Sequence, residues 1–192
     1  EQGSWSGELW NRRKSGETYV HLQHISAVRD ALGQVVQYVA FFSDITAKRE
    51  QEARLNHMAH FDALTGLPNR LLYADRLQQA MAQVARREQQ LALAFVDLDG
   101  FKAINDRYGH FYGDRILVDC ARIITEVFGQ SDFYRIGGDE FVVICRNMPK
   151  EAFMENVIEL KKRFDSDPQC QAAIGYEWTD DAVDIQRLMD LL

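Results

Sequence analysis

No run of apolar residues in this 192-residue chain approaches the length needed to cross a bilayer, and no secretory signal is visible. Positive charge is also short: 22 lysines and arginines stand against 29 aspartates and glutamates, a formal net charge of −7. That balance argues against a nucleic-acid groove and against contact with an anionic membrane surface. Cysteine is scarce. Cys120, Cys145 and Cys170 are far apart and odd in number, and the first two fall on apolar faces. Core thiols in a reduced, cytoplasmic chain are therefore expected, rather than disulfides or a metal site. What is present is apolar material, 46% of the residues, enough for one good core and a smaller second unit. The chain starts at Glu1 rather than methionine, and a piece of a longer protein is expected.

The most informative stretch is Arg135-Ile136-Gly137-Gly138-Asp139-Glu140-Phe141. Two glycines separate the apolar run Phe133–Ile136 from Phe141–Cys145, which reads as a β-hairpin whose turn uses glycine's freedom in φ. Two carboxylates follow at once, where backbone can approach a ligand closely. Acids on a tight turn suit Mg²⁺ carrying substrate phosphates. An ordinary acidic turn would be the simpler reading, but a second motif stands upstream. Leu91–Val96 has the length of a buried strand and ends in Asp97 and Asp99, which share one face of an extended chain. A helix over 101–108 would put Lys102 and Asn105 on one face, with Gly109 as its stop. Asp114 precedes the amphipathic stripe Ile116, Leu117, Cys120, Ile123, Ile124, Val127 and Phe128, so its simplest role is an N-cap.

Together these motifs resemble the GGDEF family, the diguanylate cyclase domains, over about residues 57–192. The resemblance rests on the hairpin, on Asp97-Leu98-Asp99-Gly100-Phe101-Lys102, Asn105-Asp106, Gly109-His110 and Gly113-Asp114, and on the opening Asp62–Arg70. It implies condensation of two GTP into cyclic di-GMP with release of two pyrophosphates, by two domains facing each other as a homodimer. By the family pattern, Asp97 and Asp139 bind Mg²⁺ (or Mn²⁺) through carboxylates and Leu98 through its carbonyl. Glu140 is a further metal contact or a general base. Lys102 steadies the phosphates, helped by backbone amides around Gly100 and Phe101, and Asn105 and Asp114 read guanine. Asp62 and Arg70 bracket a loop with Pro68, as a turn and possible ion pair. Two departures stand out. The Arg-x-x-Asp inhibitory pattern is missing, its positions being Phe128 and Ser131. The chain also ends before the basic residues of the late helix that hold the triphosphate, so weaker GTP binding is expected from this stretch.

The first 46 residues follow a different pattern, resembling the C-terminal half of a PAS sensor domain. Thr18–Val28 and Val35–Phe42 read as strands around the turn Asp30–Gly33, ending in Ser43-Asp44-Ile45-Thr46. Tyr19, Val20, Leu22, Tyr38, Phe41 and Phe42 are expected to be partly exposed or paired with another chain. His21 and His24 raise a haem reading; without a cofactor motif, two polar strand positions are expected. Residues 47–60 are charged and helix-prone, and the resemblance implies a signalling helix through which two copies pair. His57 and His60 there carry no assigned chemistry.

The expected fold is α+β: a nucleotidyl-cyclase-like, mostly antiparallel central sheet flanked by helices, preceded by the partial PAS β-segment. Its strands are 91–97, 133–136, 141–145 and 172–178, and its helices 69–88, 101–108, 114–128, 150–164 and 181–192. The domain division is 1–46, 47–60 and 61–192. An active diguanylate cyclase under PAS control is the first functional reading. The alternative is a non-catalytic GTP-binding module regulating an adjacent cyclic di-GMP phosphodiesterase domain. A third is a sensor and dimerisation fragment.

Overall fold

β-Branched and aromatic residues in alternation build an antiparallel meander at the start of the chain: β1 (Ser4–Arg12), β2 (Thr18–Arg29) and β3 (Val35–Asp44). The computed structural model describes residues 3–86, 90–166 and 170–180, divided into two compact units, Glu1–His57 and Met58–Leu192. β1 is an addition to the expected strands. Its glycine and serines lower its intrinsic β preference, yet it pairs with β2 from Ser4↔Ser26 to Arg12↔Thr18. At the β2–β3 turn, Asp30 Oδ1 accepts from the Leu32 and Gln34 amides, both at 2.9 Å. Leu22, Tyr38, Phe41 and Phe42 are exposed as expected, whereas Val20 is buried. His21 is buried too, against the expectation of a merely polar strand position, with its ring beside those of Tyr19 and Phe42. Asp44 pairs with Arg13 and accepts from the Thr46 amide and hydroxyl, fixing the entry to α1 (Thr46–His60), a charged helix with no buried residue.

The second unit is organised around a four-stranded sheet in the order β5-β6-β4-β7, every pair antiparallel. Its strands are β4 (Leu91–Leu98), β5 (Asp132–Arg135), β6 (Glu140–Arg146) and β7 (Ala172–Thr179). The helices are α2 (Arg70–Ala85), α3 (Phe101–Tyr108), α4 (His110–Phe128) and α5 (Lys150–Ser166). Continuous apolar runs in β4 and β6 follow from burial on both faces. On one face Leu91, Leu93, Val142 and Ile144 meet Tyr73, Leu77, Ala80 and Val84 of α2. On the other, Ala94, Val96, Phe141 and Val143 pack with Ile116, Cys120 and Ile124 of α4 and Phe153, Leu160 and Phe164 of α5. Each such large side chain contributes about 1.5–3 kcal/mol by burial, which makes the sheet a rigid base for the loops at its ends.

All three cysteines are buried and unbridged. Burial pushes the Cys145 thiol up to about 11, so it is a core group and not a nucleophile. Among the described residues, no helix is long and apolar enough to cross a membrane.

One expected boundary and one expected glycine role are corrected. α4 begins at His110 rather than Asp114, so Asp114 lies inside the helix and is not its N-cap. The reason is Gly109, whose φ of 85° both ends α3 and opens α4. The hairpin glycines 137 and 138 do not adopt positive φ. A Cβ on Gly137 would lie 2.2 Å from Glu140 Oε2, the end of an exposed side chain that would have to move aside. The helix expected over 181–192 lies outside the described residues.

Candidate active site

Register decides which acids meet. β4 and β6 run antiparallel with Asp97 directly opposite Glu140 and Val96 opposite Phe141. Directly opposed residues share a face, so Asp97 and Glu140 emerge side by side where the sheet leaves its core. The Leu98 amide donates to the Asp139 carbonyl at 3.3 Å, joining the strand end to the hairpin turn. Asp97 responds to this crowding. Burial, then the charges of Asp139 and Asp99, push its carboxyl above the ordinary value. Among the described residues, no three acidic, histidine or cysteine side chains converge tightly enough to hold an ion by themselves. Two carboxylates, a backbone carbonyl and phosphate oxygens are nonetheless the hard donor set that Mg²⁺ takes, since it usually keeps waters and substrate oxygens as ligands.

α3 starts immediately after the acids, with Gly100 (φ 68°) at its N-cap. Phe101 and Ile104 anchor it to the core, leaving Lys102 exposed on the first turn. Asn105 is half-buried; its Oδ1 is fully buried and accepts no hydrogen bond. Asp114 is exposed on α4, immediately after buried Gly113, which Asn105 touches. The structure therefore brings Asp97, Asp139 and Glu140 together at the strand end, while Asn105 of α3 lies against Gly113, the chain neighbour of Asp114 on α4. Gly100, Phe101 and Lys102 lie on the chain between Asp97 and Asn105.

Sequence reading missed Arg135 as a separate player. Its Nη1 pairs with Asp62 Oδ1 at 2.9 Å, while Nε and Nη2 donate to the Gly138 carbonyl at 3.2 and 2.6 Å. Its backbone amide donates to the Pro68 carbonyl at 2.9 Å. Asp62 thus pairs with Arg135, not with Arg70 as expected, because β5 brings Arg135 alongside the 62–69 loop. The signal available in the sequence was only position: an arginine directly before the hairpin and an aspartate upstream. The link braces the turn that carries Asp139.

This link has a pH signature. Burial raises the Asp62 carboxyl, but the Thr65 hydroxyl and amide and then the Arg135 guanidinium hold it below its ordinary value. A carboxyl depressed in the folded state contributes stability above its unfolded pKa, and that contribution is lost as pH falls through the folded value. The stability gap between wild type and Asp62→Asn, from urea midpoints, should therefore be constant above about pH 5 and shrink below about pH 4. An equal gap at about pH 3 and pH 7 would contradict the assignment.

The family described as diguanylate cyclase, GGDEF domain, matches residues 59–189. A bifunctional diguanylate cyclase/cyclic di-GMP phosphodiesterase, MucR of Pseudomonas aeruginosa, is 47% identical over 100 residues, 52% of this chain and 15% of that protein. A diguanylate cyclase of Vibrio cholerae is 34% identical over 138 residues, 71% of this chain and 43% of its own length. The chain thus spans less than half of either relative. Among solved structures, the coiled coil and GGDEF domain of DgcB from Caulobacter crescentus, in complex with c-di-GMP, superposes with a TM-score of 0.65 at 22% identity. That superposition covers 77% of this chain and 85% of the other, a likeness of fold.

Proposed function

Because this chain belongs to the GGDEF family of diguanylate cyclase domains, we propose that it condenses two GTP molecules into cyclic di-GMP and two pyrophosphates. The observation carrying this reading is the convergence of Asp97 and Glu140 on paired strands beside Asp139, with the Asp97 carboxyl pushed up by burial and by its acidic neighbours. Bound Mg²⁺ or Mn²⁺ supplies charge neutralisation on the triphosphate. Asp97 and Asp139 hold it through carboxylates and Leu98 through its carbonyl, with Glu140 a further contact or the general base. Lys102 faces the phosphates, and the amides of Gly100 and Phe101 add their dipoles. Asn105 and Asp114 recognise guanine: a carboxylate accepts from N1–H and the 2-amino group together. Each domain carries one GTP, and its 3′-hydroxyl attacks the α-phosphorus of the partner's GTP, expelling pyrophosphate. Positioning two half-sites requires a homodimer, paired through α1 and the facing GGDEF domains. The β1–β3 meander serves as the last strands of a PAS sensor in a cytoplasmic protein.

MucR's double activity favours one alternative, a GTP-binding domain without turnover that regulates a neighbouring phosphodiesterase domain. The deciding experiment is GTP turnover by the full-length protein with Mg²⁺, the product identified by chromatography. Cyclic di-GMP with two pyrophosphates per product supports the cyclase. Tight GTP binding with no product supports the regulatory module, and neither binding nor product leaves the sensor and dimerisation role.

Product inhibition should be weak. Phe128 and Ser131 occupy the positions of the inhibitory arginine and aspartate; Phe128 is core, and Ser131 Oγ donates to its carbonyl at 3.1 Å. Added cyclic di-GMP at tens of micromolar should leave the initial rate within about twofold. Strong inhibition that maps to residues 128–131 would contradict this.

A further inference from the structure

We infer that Gly113 is a positioning residue for nucleobase recognition: its missing side chain is the space in which the Asn105 amide sits. This rests on the reading that Asn105 contacts guanine. The contact is close. A Cβ built on Gly113 would stand 2.0 Å from Asn105 Oδ1, 3.0 Å from its Cγ and 3.2 Å from Phe101 Cζ. The amide cannot share that space with a methyl group, and the Phe101 ring closes it from another side. Gly113 is buried within α4, and its φ is not in the left-handed region. No turn therefore demands glycine there, and alanine is the better helix former. What requires glycine is the amide lying against the helix backbone.

The second observation is that Oδ1 in this seat accepts no hydrogen bond although it is fully buried. Buried polar atoms are nearly always paired, so an unpaired one held in a tight seat marks a constrained group. With the carbonyl end tucked toward Gly113, the planar amide directs its NH₂ away from the glycine as a donor. Asp114, the next residue, adds an exposed acceptor beside it. The missing methyl group at 113 thus lets the α3 amide lie against α4 one residue from Asp114. Alanine at 113 displaces the end of a side chain rather than backbone, so it should disturb recognition and spare the fold.

The test is a double-mutant cycle on the full-length protein, reading KM and kcat for GTP in wild type, Gly113→Ala, Asn105→Ala and the double variant. Gly113→Ala should raise KM about tenfold, the scale of one lost hydrogen bond, with a smaller effect on kcat and no fall in melting temperature. In the Asn105→Ala background the same substitution should change KM by less than about twofold, because the displaced group is gone. An unchanged KM in Gly113→Ala would overturn the inference. So would an equal penalty in both backgrounds, or unfolding of Gly113→Ala, since each assigns the glycine to packing. Absence of GTP binding by the wild type would instead remove the cyclase reading and this inference with it.

Discussion

Replacing Asp139 with alanine should reduce cyclic di-GMP formation by about a thousandfold or more, with little change in thermal stability. The two effects separate because Asp139 has two roles. Its backbone carbonyl receives the Leu98 amide, and alanine keeps that bond. Its carboxylate crowds Asp97, whose carboxyl it helps to raise. Removing it should relax Asp97 downward and make the protein, if anything, more stable, while taking away one of the two carboxylates proposed to hold the metal. Turnover assays beside thermal melts check both halves. More than about a tenth of wild-type activity in Asp139→Ala would contradict the role assigned to its carboxylate.

Asp114→Ala should weaken GTP binding and erode the preference for guanine over adenine. Guanine offers N1–H and a 2-amino group to a carboxylate, whereas adenine lacks that amino group and its N1 is an acceptor. Adenine would therefore face Asp114 acceptor to acceptor. Sites built to pair with a substrate's polar groups discriminate by up to about 10⁴–10⁵ when the mismatched groups are buried. Asp114 is exposed in the ligand-free protein, so solvent softens the mismatch and a smaller factor, about a hundredfold, is expected. The ratio of kcat/KM for GTP and ATP in the two proteins gives the answer. Unchanged guanine selectivity in Asp114→Ala would remove Asp114 from base recognition.

The sequence carried the sheet and the acids well, because those features have local signatures. A continuous apolar run announces β4 and its end near Asp97, and Gly109 announces the end of α3, whereas Asp99 falls in the turn after β4 rather than on the strand. What it did not carry is long-range or steric. The partner of Asp62 lies 73 residues away, and nothing near either residue says that β5 will bring Arg135 to it. β1 is specified mainly by its pairing with β2, a tertiary fact. Gly137 was read as a φ requirement because that is glycine's common use in hairpins. In the folded chain Gly137 does not adopt positive φ, and the Glu140 carboxylate lies over it. The first turn of α4 was missed for a similar reason. Asp114 ahead of an apolar stripe has the look of a cap, but Gly109 had already turned the chain into the helix.

Metal-dependent binding of GTP is the property proposed for the carboxylates at the β4–β6 strand end and the hairpin. It is tested most directly by calorimetric titration of GTP into the full-length protein, with Mg²⁺ and with excess chelator, for wild type and Asp97→Ala. Binding in Mg²⁺ should weaken at least about tenfold both on chelation and on loss of Asp97. Equal affinity under all of these conditions would show that GTP, if it binds, is held elsewhere.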